Sequence, residues 1–333
     1  MSFPDKLTLR SPADVVAAVP YLLGFRPDDD SIVIIATSGH RVVFAARSDL
    51  PAPDAPAHQI VDLAGHMVPV VRRQQAITDV IIVGYGAADR IDPALHTIDE
   101  TFTTDGMTVR ELIRVTGTRF FTLICDNPAC CPPDGTPFDP TASLIAAQAT
   151  AVGLVAFPDR TAVAARFAPV DGAARDSMRR ATDAAATRME RLLAAGMAAV
   201  DEAGAQALRD ALRQHDKPLT DDETAWLSML LARPSVRDLA VDLTEPTDQH
   251  VTFWADVTRR ADELLVPAPA TLLALTAWRC GNGALAAMAA EHALQIDPTY
   301  RLAGLLRQAL HAGLAPTFLE QAIAEARTDR SDP

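Results

Sequence analysis

Basic charge is scarce in this chain of 333 residues: 30 Lys and Arg stand against 43 Asp and Glu, a formal net charge of -13. Nucleic-acid surfaces need a basic field to meet phosphates, so no nucleic-acid partner is expected. The pairs Arg179-Arg180 and Arg259-Arg260 are local exceptions, and they read as solvated helix faces. Aromatic residues make up only 5%, which speaks against a sugar-stacking site. No stretch reaches the ~20 apolar residues that span a bilayer, and residues 1–6 carry no apolar signal-peptide core. The expectation is a cytoplasmic, soluble protein with no membrane partner. Cysteine is also rare, with four in all, and three of them cluster at Cys125, Cys130 and Cys131. In a reducing compartment that pattern points away from structural disulfides. Patterns of the Gly-x-Ser-x-Gly, His-Glu-x-x-His and phosphate-loop kinds are missing, which lowers the prior for an enzyme. Nothing in the sequence marks an oligomeric state.

What is present is an ordinary globular composition, 49% hydrophobic and 22% charged, in a chain long enough for two cores. The first region is organised around Pro20-Tyr21-Leu22-Leu23-Gly24-Phe25-Arg26-Pro27 and the apolar run Ile32-Val33-Ile34-Ile35. Ser11 can cap a helix, Pro12 suits its first position and Asp14 favours its positive end. That helix ends near Gly24, with Pro20 limiting or bending it. Asp28-Asp29-Asp30 makes an acidic turn, a reading preferred over a Mg²⁺ site because no phosphate loop accompanies it. Four branched residues between turns fit a strand buried on both faces.

Residues 32–37 and 41–47 read as a hairpin turning at 38–40, followed by a helix over 57–75, a strand over 79–83, a helix over 92–104 and a second hairpin over 108–124. The loop 125–140 holds five prolines and Gly135 and should be irregular. A helix over 141–152 and a short strand over 162–167 should close a mixed α/β domain at 1–170. From Gly172 the composition turns to Ala, Arg, Asp and Leu at helical spacing, the signature of an all-α domain over 171–327. The expected helices are 172–203, 205–214, 220–232, 235–241, 246–265, 268–280, 283–296, 299–312 and 316–326, with a disordered tail at 328–333. With Pro298 as a closing proline, Ala293, Ala286, Gly281 and Leu273 fall at the small and apolar positions of a tetratricopeptide-like hairpin near 268–312. Trp226, Trp254 and Trp278 fall on helical faces and belong to the core.

Two candidate sites emerge. Cys125 and Cys130, with Cys131 beside them, sit on the Pro-rich loop and can offer thiolates to Zn²⁺. Adjacent cysteines seldom point at one ion, and no fourth ligand is visible nearby. The same residues also fit buried packing or redox and nucleophilic chemistry. Arg47 and Asp49, two apart on a strand end, face one side and can bind a polar ligand or form an ion pair that fixes the loop. The segment Val80-Ile81-Ile82-Val83-Gly84-Tyr85-Gly86 resembles a dinucleotide turn, but Asp89 stands where a third glycine belongs, so a plain strand end is the better reading. His58 and His66 share a predicted helix at a spacing too wide for a metal pair.

Pro20-Tyr21-Leu22-Leu23-Gly24-Phe25-x-Pro27, Arg47-x-Asp49-Leu50-Pro51 and Cys130-Cys131-Pro132-Pro133-x-Gly135 together resemble an uncharacterised actinobacterial domain-of-unknown-function family, as do Trp278, Asp297-Pro298 and Tyr300 in the C-terminal part. The resemblance implies a cytoplasmic bacterial protein and no particular reaction. The sequence therefore leads to a binding or protein-interaction module, with a protein partner on the helical domain and a metal or small polar ligand on the first. The rival is an enzyme acting on a small polar substrate at the strand ends.

Overall fold

The computed structural model describes residues 9–39, 41–74, 76–140, 143–213, 217–318 and 320–321. Parts of several expected features fall on other positions and lie outside the described residues: His40 of the first turn, Gln75, Thr141, Gln214, the far end of the 316–326 helix, and the tail 328–333. The described chain is a six-stranded mixed sheet with helices, followed by a helical region. It divides into two compact units between Arg160 and Thr161.

Helix α1 spans Pro12–Leu23. The Ser11 side chain accepts the Asp14 N–H, and the Asp14 carboxylate accepts the Ser11 N–H, so two otherwise unpaired donors are satisfied. Pro20 sits inside the helix rather than ending it, and the left-handed Gly24 (φ 83°) makes the stop. Strands β1 (Ser31–Ser38) and β2 (Arg41–Asp49) form the expected hairpin. Helix α2 (His58–Arg72), strand β3 (Asp79–Tyr85), helix α3 (Ala88–Thr104) and strands β4 (Val109–Thr116) and β5 (Arg119–Thr122) follow.

The sheet order is β2-β1-β3-β4-β5, closed by a two-residue strand β6 (Thr136–Pro137). Only β3 and β4 run parallel. β1 is antiparallel to both neighbours, yet Ile32 to Ala36 are fully buried. One face (Ile32, Ile34, Val80, Ile82, Leu112) packs with Ala64 and Val68 of α2 and with Ile91, Leu95 and Ile98 of α3. Gly84 lies within β3 on this face, and a Cβ there would collide with the Ile91 side chain, also meeting Ile32 and Leu95. Its smallness lets α3 lie close on the strand, which explains the glycine without a nucleotide.

β6 corrects the expectation that the whole 125–140 loop is irregular. Pro137 is admitted because β6 is an edge strand, where a missing N–H leaves no ladder bond unmade. Helix α4 is Leu144–Ala151, capped by Ser143. The strand expected at 162–167 is instead a short helix, α5 (Arg160–Ala164). Its Ala-Val-Ala-Ala run lacks the polar alternation of a half-buried strand. The extended contact falls earlier, where Phe157 bridges Phe25, with the Arg26 N–H donating to the Phe157 carbonyl at 3.0 Å.

In the second unit the helices are α6 (Gly172–Ala194), α7 (Met197–Arg213), α8 (Asp221–Leu231), α9 (Pro234–Leu243), α10 (Asp248–Arg260), α11 (Pro267–Arg279), α12 (Gly283–Ile296) and α13 (Arg301–His311). The long helix expected over 172–203 breaks at Gly196 (φ 104°), and the one expected over 246–265 stops at Arg260 before a 3₁₀ turn at Glu263–Leu265. The capping box at Thr220 and Glu223 starts α8. Helix α11 is buried from Pro267 to Trp278, as a helix apolar on every side must be. It forms a hairpin with α12, whose Ala286, Ala289, Ala290 and Ala293 are fully buried and allow close approach. Trp226, Trp254 and Trp278 are all buried, and Trp254 Nε1 donates to Thr244 Oγ1 at 3.1 Å.

Candidate functional site

The two sites expected from sequence lie at opposite margins of the sheet, and their chemistry differs. At the β2 end, Arg47 is 7% exposed in its side chain and meets Asp49 at 2.6 Å and Asp28 at 3.8 Å. Arg160 approaches Asp49 from the other side at 3.7 Å. Arg90 reaches Asp30 at 3.6 Å and donates to the Pro51 carbonyl. The acidic turn is therefore the counter-charge of an arginine set that pins residues 28–30 to residues 47–51. Asp30 itself holds a left-handed backbone (φ 56°), and its carbonyl accepts the Leu50 N–H at 2.8 Å. Each carboxylate named here already faces an arginine.

The other margin carries the Cys loop. Pro128 follows Asn127, and the Asn127 carbonyl accepts the N–H of Cys130 (3.2 Å) and of Cys131 (2.8 Å), while its side chain accepts the Ala129 N–H (3.0 Å). This single tight turn folds Cys130 and Cys131 back over Cys125. Cys125 Sγ lies 3.4 Å from Cys130 Sγ, and Cys131 Sγ lies 3.7 Å from Cys130 Sγ. All three sulfurs fall within 4.8 Å of one another, so the adjacent pair does converge, against the sequence expectation. Asn127 overrides the usual divergence of neighbouring side chains by holding both N–H groups on one acceptor.

The cluster is open to solvent: Cys130 is exposed, and Cys125 and Cys131 are half-buried. The Asn127 N–H beside Cys125, together with the thiols of Cys131 and Cys130, lowers the Cys125 pKa. Cys131, hydrogen-bonded to Cys125 and partly desolvated, is pushed up to about 12. Negative charge is thus favoured on Cys125 over Cys131. Cys280, half-buried at the end of α11, is instead pushed up to about 11, chiefly by burial.

Three supports hold the loop. Arg119 Nη1 donates to the carbonyls of Asp134 (2.9 Å) and Gly135 (2.6 Å). Gly135 is left-handed (φ 76°), and a Cβ there would stand 2.6 Å from Phe121 Cζ, so the loop rests on that ring. The Arg114 guanidinium lies 3.9 Å from the ring centroid, and Arg114 also pairs with Asp92 at the start of α3. Arg114 is 8% exposed, and its Nε and Asp92 Oδ1 have no hydrogen-bond partner. A cleft of about 380 Å³ runs beside the thiols, lined by Arg114, Phe121, Leu123, Cys125, Cys131 and Pro132. Sequence reading missed Arg114 and Asn127. The visible signal for Arg114 was a charge inside the apolar run Leu112-Ile113-Arg114-Val115; for Asn127 it was the Asn-Pro turn pair.

The three thiols match the chemistry of a soft-ion site. With Zn–S near 2.3 Å, a tetrahedral centre spaces its sulfurs about 3.8 Å apart, close to the separations seen. Among the described residues no His, Asp or Glu joins the set. Elsewhere the other sequence candidates stay apart from any site: His58 and His66 lie on α2, where His66 Nδ1 meets the Asp62 carbonyl at 2.6 Å. Arg260 pairs with Asp221 at 2.6 Å and Asp256 at 3.1 Å, so it does not act as a basic patch. Among the described residues no helix is long and apolar enough to cross a membrane.

A family model described as Domain of unknown function (DUF4192) matches residues 12–317, nearly the whole chain, and the chain belongs to that family. No curated protein and no solved structure matches it.

Proposed function

We propose that this DUF4192 protein is a binding protein whose first unit takes one thiophilic divalent ion, Zn²⁺, on Cys125, Cys130 and Cys131. The observation that carries the reading is the convergence of three sulfurs within 4.8 Å from a seven-residue stretch. Soft thiolates select zinc over the hard ions that acidic turns attract. Three protein ligands and an exchangeable fourth position are the pattern of zinc sites that bind or activate something further. The cleft beside Arg114 gives that fourth position room for a small ligand.

The ion must displace thiol protons, so uptake releases protons and weakens as pH falls. The test is native mass spectrometry with elemental analysis of protein purified without chelator. The expected result is one zinc per chain, lost in Cys125→Ser with Cys130→Ser while circular dichroism is unchanged. A metal-free mass after incubation with excess zinc overturns the reading.

A further inference from the structure

We infer that Cys125 and Cys130 are a peroxide-reactive pair that closes to an intrachain disulfide, on a turn that holds Cys131 beside them. This goes beyond zinc binding and does not depend on it. Of the sulfur separations given above, that of Cys125 and Cys130 is the shortest. Cys125 and Cys130 sulfurs are 3.4 Å apart on an exposed loop, so a side-chain rotation of about 1.4 Å brings them to bonding distance. Cys130 and Cys131 are farther apart at 3.7 Å. Adjacent residues also hold their Cα atoms about 3.8 Å apart, below the roughly 4.4 Å minimum that disulfides usually require. Cys280 sits on α11 in the other unit, away from this loop in sequence, and its thiol is held protonated by burial.

The chemistry balances with one hydroperoxide. The Cys125 thiolate attacks the terminal peroxide oxygen; an S–O bond forms, the O–O bond breaks, and the departing oxygen takes a proton from solvent to leave as water or an alcohol. Cys130 then attacks the sulfenic sulfur. An S–S bond forms, the S–O bond breaks, and the hydroxyl departs as water with the Cys130 proton. The two thiols lose two electrons and the peroxide gains them. The Asn127 N–H lies against Cys125 and can hold the sulfur that attacks, with the Cys130 sulfur 3.4 Å away to follow it. Thiols on an open loop are the ones that oxidants reach first.

The experiment uses the full chain, stripped of metal with chelator, treated with one equivalent of hydrogen peroxide at pH 7, alkylated and mapped by mass spectrometry. The expected product joins Cys125 to Cys130, with Cys131 and Cys280 alkylated, and forms at least about tenfold faster than oxidation of Cys280. Cys130→Ser should stop at a Cys125 sulfenic acid that dimedone traps. Cys131→Ser should still give the disulfide between Cys125 and Cys130, as it must if Cys131 is not a member of the pair. A linkage of Cys131 to either Cys125 or Cys130, a linkage between chains, or equal oxidation of all four thiols overturns the inference. The zinc reading fails separately, by a metal-free mass, whatever this map shows.

Discussion

The two margins of the sheet hold similar raw material and put it to different uses. At the β2 end, Arg47, Arg90 and Arg160 face Asp28, Asp30 and Asp49, and opposite charges meet. At the far end, three cysteines meet one another. A cluster whose members complete each other fixes a loop. A cluster of identical ligands leaves its valence unspent, and that makes it a site. The lesson is that proximity of polar groups is a weak sign of function, whereas convergence of groups that cannot satisfy one another is a strong one.

That contrast breaks or holds at measurable places. The largest effect belongs to the thiols: Cys125→Ser should weaken zinc binding by more than about a hundredfold, since loss of a direct ligand exceeds the loss of a supporting one. Isothermal titration with zinc reads this, and unchanged affinity would move the site elsewhere. Next comes Gly84→Ala, which forces a methyl against Ile91 in the sheet core. It should lower unfolding free energy by about 1–3 kcal/mol in urea and leave zinc affinity alone. Arg47→Ala follows, at about 1–2 kcal/mol, chiefly from lost contact of a buried side chain. The partner carboxylates are 56% and 66% exposed and regain water, so the ion pair itself contributes little. If this variant also lost zinc, the two margins would be one coupled site rather than two.

The smallest effect lies in the helical unit. His292 packs on Phe167 with ring centroids 5.5 Å apart, and its Nε2 is buried without a partner. Burial holds its pKa below the ordinary 6.5. The unfolded chain therefore takes up this proton at higher pH than the folded one. The contribution to stability is full above 6.5 and declines as pH falls below it. Melting curves at pH 7 and pH 5 should differ by about 1 kcal/mol or less from this group, and His292→Leu should remove that part of the slope.

Much of the fold was legible because it rests on local signals. The Ser11-Pro12-Ala13-Asp14 start, the Thr220 cap and the apolar β1 run each state their structure within a few residues. The misreadings fell where a longer-range partner decided. Residues 162–167 read as a strand, but 162–164 wind into α5 and 165–167 form the turn that follows it. Residues 136–137 looked like loop because Pro137 stands in a proline-rich run, but the free edge of β5 takes them.

The sequence by itself determined the two kinds of structure in this protein and their order, through hydrophobic period, caps and turn residues, all of which act within a turn or two of the chain. It also determined that Arg47 and Asp49 share one side of a strand, because side-chain alternation has a period of two. Only the tertiary structure decided which clusters are complete. Asp28 and Arg160 come to that strand end from other segments. Arg114, Phe121 and Gly135 stack beneath the cysteines because three separate strands or loops meet there. The convergence of Cys125, Cys130 and Cys131 depends on where the Asn127 carbonyl points, and that direction is set by a folded turn held on the sheet, not by spacing along the chain.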